Sequence, residues 1–252
     1  MARRPVRRRC LGQVPGRRLF SRCARAPITP LTSIQRERII LTVLGNPTSD
    51  RVAKRREAVR REIVDAAWAI ARRDGLAAVT LREVAASVGM RAPSLYTHFE
   101  SRNAIFDSMF ADAWQDCLDQ MEAEIGDAPR ETVRDFLKWN SRTFFAFCVG
   151  DPARFQLMNQ RTIPGFEPTP DSYAPSIKAL ERFRQELEPF GLTRQEDIDL
   201  YTALLGGLID AQLANDPGGN RWEKLLDRAV DMYVDGLDLP LQRADTSSTK
   251  KN

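Results

Sequence analysis

From about residue 51 onward, apolar positions recur at intervals of three and four, the spacing that lays them along one face of a helix. In "EAVRREIVDAAWAIARRDG", Val59, Ile63, Ala66, Ala67 and Ile70 form such a stripe, and Gly75 supplies the stop. In "TLRE", Thr80 stands three residues before Glu83, the capping-box spacing, with Leu81, Val84 and Ala85 as the buried face of a short helix ending at Gly89. The spacing predicts a third short helix over Pro93 to Phe99 and a longer fourth one capped by Ser101. Later helices are separated by "IGDAPRE", "VGDPAR", "RTIPGFEPTPDSYAPS", "PFGLT" and "NDPGGN". Asp151 before Pro152, Thr193 with Glu196, and Asn220 with Glu223 mark further starts. The last two long helices are expected at about 194–214 and 221–237. No stretch alternates as a strand would, and no segment repeats. The fold class is therefore all-α.

Residues 1–50 lack sustained periodicity apart from a short piece in "IQRERIILTVL". The chain divides into a basic extension (1–50), a compact helical head (51–106), a larger helical domain (107–240) and a polar tail (241–252). Charge sharpens that division. Residues 1–60 hold fifteen Arg and one Lys against Glu37, Asp50 and Glu57, a balance of +13. With +4 overall, the remainder carries −9. A basic front on an acidic body points to a polyanion partner for the front alone. The same composition suits a solvated tail, an organellar transit segment, or a start of translation further in, for example at Val52, so no function rests on it.

No apolar run approaches the roughly 20 residues a membrane span requires, so a soluble, cytoplasmic protein is expected. Cys10, Cys23, Cys117 and Cys148 are scattered, with no CxxC pair and no neighbouring histidine, which argues against a metal centre or a disulfide framework. The one histidine, His98, has no nucleophile or acid–base partner nearby. Neither a glycine-rich phosphate loop nor a nucleophile elbow occurs, so neither enzymatic activity nor a cofactor is expected.

Three helices, the second and third short and joined by about four residues including a glycine, have the shape of a helix-turn-helix, whose third helix enters the major groove. The details are specific. "VTLREVAASVGMRAPSLYTHFESRNAIF", following an amphipathic helix that ends at Gly75, resembles the DNA-binding domain of the tetracycline-repressor (TetR) family over roughly residues 55–106. The shared elements are Thr80, "VAASVGM", "LYTHF" and the pair Ser101 and Arg102. "ARFQLM" and "LLGGLIDAQLANDPGGNRW" are similar to one variety of that family's regulatory domain. One departure stands out: where the family commonly has Ser or Thr to cap the third helix, this chain has Arg91, a poor cap. Pro93 does no harm there, because the first N–H groups of a helix have no acceptor within it.

The resemblance implies backbone contacts from Tyr96, whose hydroxyl would donate to a phosphate, and from His98 and Arg102. Each has a plainer reading as a packed or merely solvated side chain. Thr80 combines a capping hydroxyl with a helix N-terminus, a natural phosphate site. Arg82 is a further phosphate candidate, and Lys54, Arg55 and Arg56 are placed to follow the backbone or minor groove. Base reading falls to Arg91, Ala92, Ser94 and Thr97, the exposed positions near the start of the third helix.

Beyond residue 107, Trp114, Phe136, Trp139, Phe144, Phe147, Phe155, Phe166, Tyr173, Phe183 and Met158 recur at core spacing. Among these, Trp114, Trp139, Phe144, Phe155, Met158 and Phe166 are taken as candidate walls of a pocket for a small apolar or amphipathic effector, with the proline-rich 163–175 as a gate or a plain loop. Gly206 and Gly207 sit in a helix interior, a cost of about 0.5–1 kcal/mol that close helix approach would offset. The resemblance implies a homodimer through the last two helices, with Leu205, Gly206, Ile209, Leu213, Val230 and Val234 at the interface; close packing within one subunit is the other reading. The function expected is a ligand-responsive regulator that binds double-stranded DNA, chiefly as a repressor on a pseudo-palindromic operator. The alternative is an architectural, non-specific DNA binder using the basic extension.

Overall fold

The structure, a computed structural model, describes residues 47–237. The stretch before Pro47, including "IQRERIILTVL", Cys10 and Cys23, lies outside the described residues, as does the 241–252 tail. All regular elements among the described residues are helical. They are α1 (Pro47–Asp74), α2 (Leu81–Ser87), α3 (Ala92–Leu95), α4 (Arg102–Glu124), α5 (Val133–Gly150), α6 (Pro152–Asn159), α7 (Pro170–Leu187), α8 (Gln195–Asn215) and α9 (Leu226–Asp235). Short 3₁₀ turns link several of them.

The starts of helices follow local chemistry. Thr80 Oγ1 accepts from Glu83 N at 3.1 Å, Ser101 Oγ from Ala104 N at 3.1 Å, and Asp151 Oδ1 from Arg154 N at 3.1 Å. Thr132 and Thr169 cap α5 and α7 in the same way. Each bond satisfies one of the four amides a helix leaves open at its start. Gly75 (φ 86°) turns the chain out of α1, and Gly89 (φ 67°) turns it between α2 and α3, a conformation that costs glycine least.

Several expectations need correction. The third helix does not run to Phe99; it ends at Leu95, and the chain continues in tight turns, with Thr97 N on Ser94 O (3.2 Å) and His98 N on Leu95 O (2.9 Å). No side chain caps its start at Arg91, so little local chemistry favours a longer helix. α1 begins four residues before residue 51. The "RTIPGFEPTPDSYAPS" separator is helical from Pro170, started by the Thr169 cap and proline in the first turn. Thr193 does not cap α8: Arg194 holds the cap position, and its guanidinium lies 3.9 Å from Glu196 and 3.7 Å from Asp197. Asn220 caps nothing through its side chain; Asp216 Oδ2 accepts from Arg221 N at 2.9 Å, and the last helix opens only at Leu226.

Two hydrophobic clusters hold the chain together. The first joins Ile63, Ala67 and Ile70 of α1 to Val84, Leu95 and Phe99, to Ile105, Phe106 and Met109 of α4, and to Leu157 and Met158 of α6. The second gathers Phe136, Phe155, Phe183, Ile198, Tyr201, Ile209 and Val230. The boundary placed at 106/107 thus falls inside α4, a continuous helix whose first turns belong to the head's own core. α9 is fastened to α5 by a charge ladder: Arg134 to Asp231 (2.7 Å) and Asp235 (2.5 Å), Lys138 to Asp231 (2.7 Å), and Arg142 to Asp227. Both sets recur every four residues, so two antiparallel helix faces meet along the ladder.

Candidate nucleic-acid interface and internal cavities

The head presents one face of the α2–α3 unit outward because its other face is fully used. Val84 and Leu95 are completely buried, and Phe99 nearly so. The outward positions include the expected base-reading set. Arg91, Ser94 and Thr97 are exposed, Ala92 is half-buried, and Tyr96 is 56% exposed, an unusual state for an aromatic ring in a packed head. Arg91 occupies the cap position without a side-chain cap bond, and its side chain is exposed. Thr97 Oγ1 donates to Ser94 O at 2.7 Å, so its hydroxyl proton is already committed.

The phosphate candidates are less uniform. Thr80 accepts the Glu83 amide and keeps its hydroxyl proton available. Arg82, Lys54 and Arg55 are exposed. Arg102 is half-buried, its guanidinium 5.6 Å over the Phe106 ring. His98 is half-buried, and its Nδ1 is enclosed without a hydrogen-bond partner among the described residues.

Two arginines do work that sequence reasoning missed or misjudged. Arg60 Nη1 donates to the His98 carbonyl, its Nη2 reaches Ser108 Oγ at 3.5 Å, and its guanidinium carbon lies 4.1 Å from the Phe99 ring centroid. Arg56 Nη2 donates to the Thr97 carbonyl at 3.4 Å. The i, i+4 spacing of the two was visible; what they reach was not. Asp107 was also missed. Its carboxylate accepts from Thr169 N (2.7 Å), Thr169 Oγ1 (2.8 Å) and Ser172 Oγ (2.6 Å), and Asn103 Nδ2 donates to Gly165 O at 2.8 Å. The first turns of α4 therefore hold the 163–172 segment, and Arg72 ties α1 to the α6 cap Asp151 at 2.8 Å.

The six pocket candidates do not share one cavity. Trp114, Phe144 and Phe155 line a mostly apolar cavity of about 310 Å³, together with Phe183, Tyr201 and Leu205. Met158 and Phe166 line a second, of about 410 Å³, beside Phe110, Arg161 and Glu167. Trp139 borders a space of only about 20 Å³, too small for a ligand. The two larger cavities share Asn159 and Tyr173, and the Tyr173 ring stacks on Phe110 with centroids 5.7 Å apart. The Tyr201 hydroxyl in the apolar cavity's wall is held by Asn140 Nδ2 (3.0 Å), Ser141 Oγ (2.8 Å) and the Leu137 carbonyl (3.1 Å). Burial pushes its pKa up to about 12, so it stays a neutral donor. Cys117 borders the same cavity, and burial pushes its thiol up to about 12, away from the reactive thiolate.

The interface candidates divide as well. Leu205, Ile209 and Val230 belong to the second core and are at most 5% exposed. Gly206, Leu213 and Val234 are half-buried. The outward apolar positions are instead Leu200 (62%) on α8 and Met232 (67%) on α9. A Cβ built on Gly206 or Gly207 would meet nothing within 4 Å, so no helix of the same subunit exploits their small size.

Residues 63–109 match the family model for bacterial regulatory proteins of the tetR family. The HTH-type transcriptional regulator Rv1816 of Mycobacterium tuberculosis is 29% identical over 128 residues, which cover 49% of this chain and 54% of that one. The chain thus spans about half the length of the curated relatives it matches. Among solved structures, a TetR family transcription regulator from Marinobacter aquaeolei VT8 superposes with a TM-score of 0.53 at 15% identity, covering 73% of this chain and 97% of that one. The transcriptional regulator FadR from Bacillus subtilis, solved in complex with stearoyl-CoA, superposes with a TM-score of 0.52 at 15% identity, covering 70% and 98%. At these identities the shared property is the fold.

Proposed function

Because this chain belongs to the TetR family of bacterial regulatory proteins, we propose that it is a cytoplasmic, sequence-specific regulator of transcription. In this reading it represses from a pseudo-palindromic operator as a homodimer and is released by a small effector. The observation that carries the reading is the outward face of the head. Arg91, Ser94 and Tyr96 stand free in solvent on a segment whose opposite face, Leu95 and Phe99, is locked in the core. A two-fold dimer repeats that face about one or more DNA turns away, which calls for a palindrome.

The effector part rests on the apolar cavity, whose size falls at the lower end of ligand pockets (roughly 300–1,000 Å³). Its aromatic walls and few polar groups suit a small apolar or amphipathic molecule. That FadR from Bacillus subtilis holds stearoyl-CoA supports an amphipathic one. Release follows if the effector binds the non-operator arrangement of the two heads more tightly. The dimer part rests on the open side of α8 and α9, where Leu200, Gly207 and Met232 offer an apolar surface that a partner's helices could approach closely. Met232→Glu should yield a monomer by sedimentation and remove operator binding; an unchanged dimer would move the interface elsewhere.

The test of the whole is recovery of bound genomic fragments, then competition of the recovered sequence against random DNA. A specific regulator prefers its operator by about 10³ or more. Equal affinity for both would favour the architectural reading, in which the basic residues before 60 provide the binding.

A further inference from the structure

We propose that Arg60, seconded by Arg56, positions the recognition segment for base reading and does not itself touch DNA. This rests on the DNA-binding reading above. The segment is short: α3 spans four residues, and Leu95 O is the last carbonyl there to accept from the tight turns that follow. The carbonyls of Thr97 and His98 come after it and are the orphan acceptors that every helix end leaves. Arg56 takes the first and Arg60 the second, so two cations of α1 serve as the C-terminal cap that the segment's own sequence lacks.

The Arg60 guanidinium is engaged on three sides. One nitrogen faces His98 O, another Ser108 Oγ on α4, and the guanidinium carbon lies 4.1 Å from the centroid of Phe99, the buried ring that anchors the segment. One group thereby fixes α1, the recognition turn and α4 against each other. The orientation of Arg91, Ser94 and Tyr96 follows from that junction. A cation at this place in the sequence otherwise looks like one more phosphate contact beside Lys54 and Arg55, and the two roles leave different signatures. A phosphate contact adds affinity for any DNA and steepens the salt dependence, by about 0.9 in the log–log slope per contact. A positioning group adds affinity only for the sequence being read.

The probe is the duplex that the full-length wild-type chain selects from a random pool. Arg60→Lys keeps the charge and loses the planar fork. It should weaken binding to the selected duplex about 10-fold or more, the worth of a charge-assisted hydrogen bond. Affinity for random DNA and the salt slope should stay at wild-type values. Arg102→Gln is the contrast, expected to weaken both DNAs and lower the slope. Arg56→Gln, at an exposed position, should show the Arg60 pattern in milder form. The inference is overturned if Arg60→Lys reads the selected duplex as well as wild type, or if Arg56→Gln loses equally on both DNAs with a lower slope. A wild-type chain that selects no palindrome removes the regulator reading, and this inference with it.

Discussion

In the proposed reading, Arg91 is the residue on which specificity turns. Occupying the cap position of α3 without capping it, Arg91 gives up about 1 kcal/mol of helix stability that Ser or Thr would supply. Its guanidinium is exposed, and arginine to guanine O6 and N7 is the commonest specific contact. Arg91→Ala should therefore cost about 1–3 kcal/mol on the operator and relax preference at one base position. Equilibrium titration against a panel of single-base variants measures both. Equal loss on operator and random DNA would reassign Arg91 to the phosphate backbone. Arg60, thirty-one positions earlier in the sequence, turns the same side-chain chemistry inward, onto the His98 carbonyl and Ser108.

Among the elements, α9 combines the buried Leu226 and Val230 with a charge ladder. Its ladder to α5 pairs Arg134, Lys138 and Arg142 with Asp227, Asp231 and Asp235. Hydrogen bonds from Lys138 and Arg134 hold the Asp231 carboxyl below its ordinary value of 3.8. A depressed carboxylate pKa stabilises the fold above the unfolded value and loses that contribution as pH falls through the folded one. α9 should therefore lose this contribution on acidification below pH 3.8. Molar salt at neutral pH should weaken it in the same direction, because exposed pairs are screened. Amide exchange localised to residues 226–235 checks both; uniform exchange across the chain would refute the ladder's role.

For the whole molecule, the question is how the cavity and the head communicate. Phe155 of α6 lines the apolar cavity, while Leu157 and Met158 of the same helix pack into the head's core. Asp107 and Asn103 bind the following segment to α4. Filling the cavity separates ligand binding from DNA binding. Ala179→Phe, at a buried wall position on α7, should abolish uptake of an apolar dye such as anilinonaphthalene sulfonate. The overpacking cost is about 1–3 kcal/mol. Operator affinity should stay near wild type. Undiminished dye fluorescence would place the binding space in the neighbouring cavity beside Arg161.

The all-helical fold, the caps Thr80, Ser101 and Asp151, the turns at Gly75 and Gly89, and the outward set Arg91, Ser94 and Tyr96 were all legible in the residue string. Each depends on interactions within about four residues, which periodicity and capping chemistry express directly. Tertiary structure decided the rest. It shortened α3, spent Arg60 on the His98 carbonyl, divided six aromatic and methionine candidates among three spaces, and buried Leu205, Ile209 and Val230 in the core. The physical reason is that an amphipathic helix encodes which residues leave water, but not which partner covers them. A core face and an interface face carry the same apolar pattern until the neighbouring helices are in place.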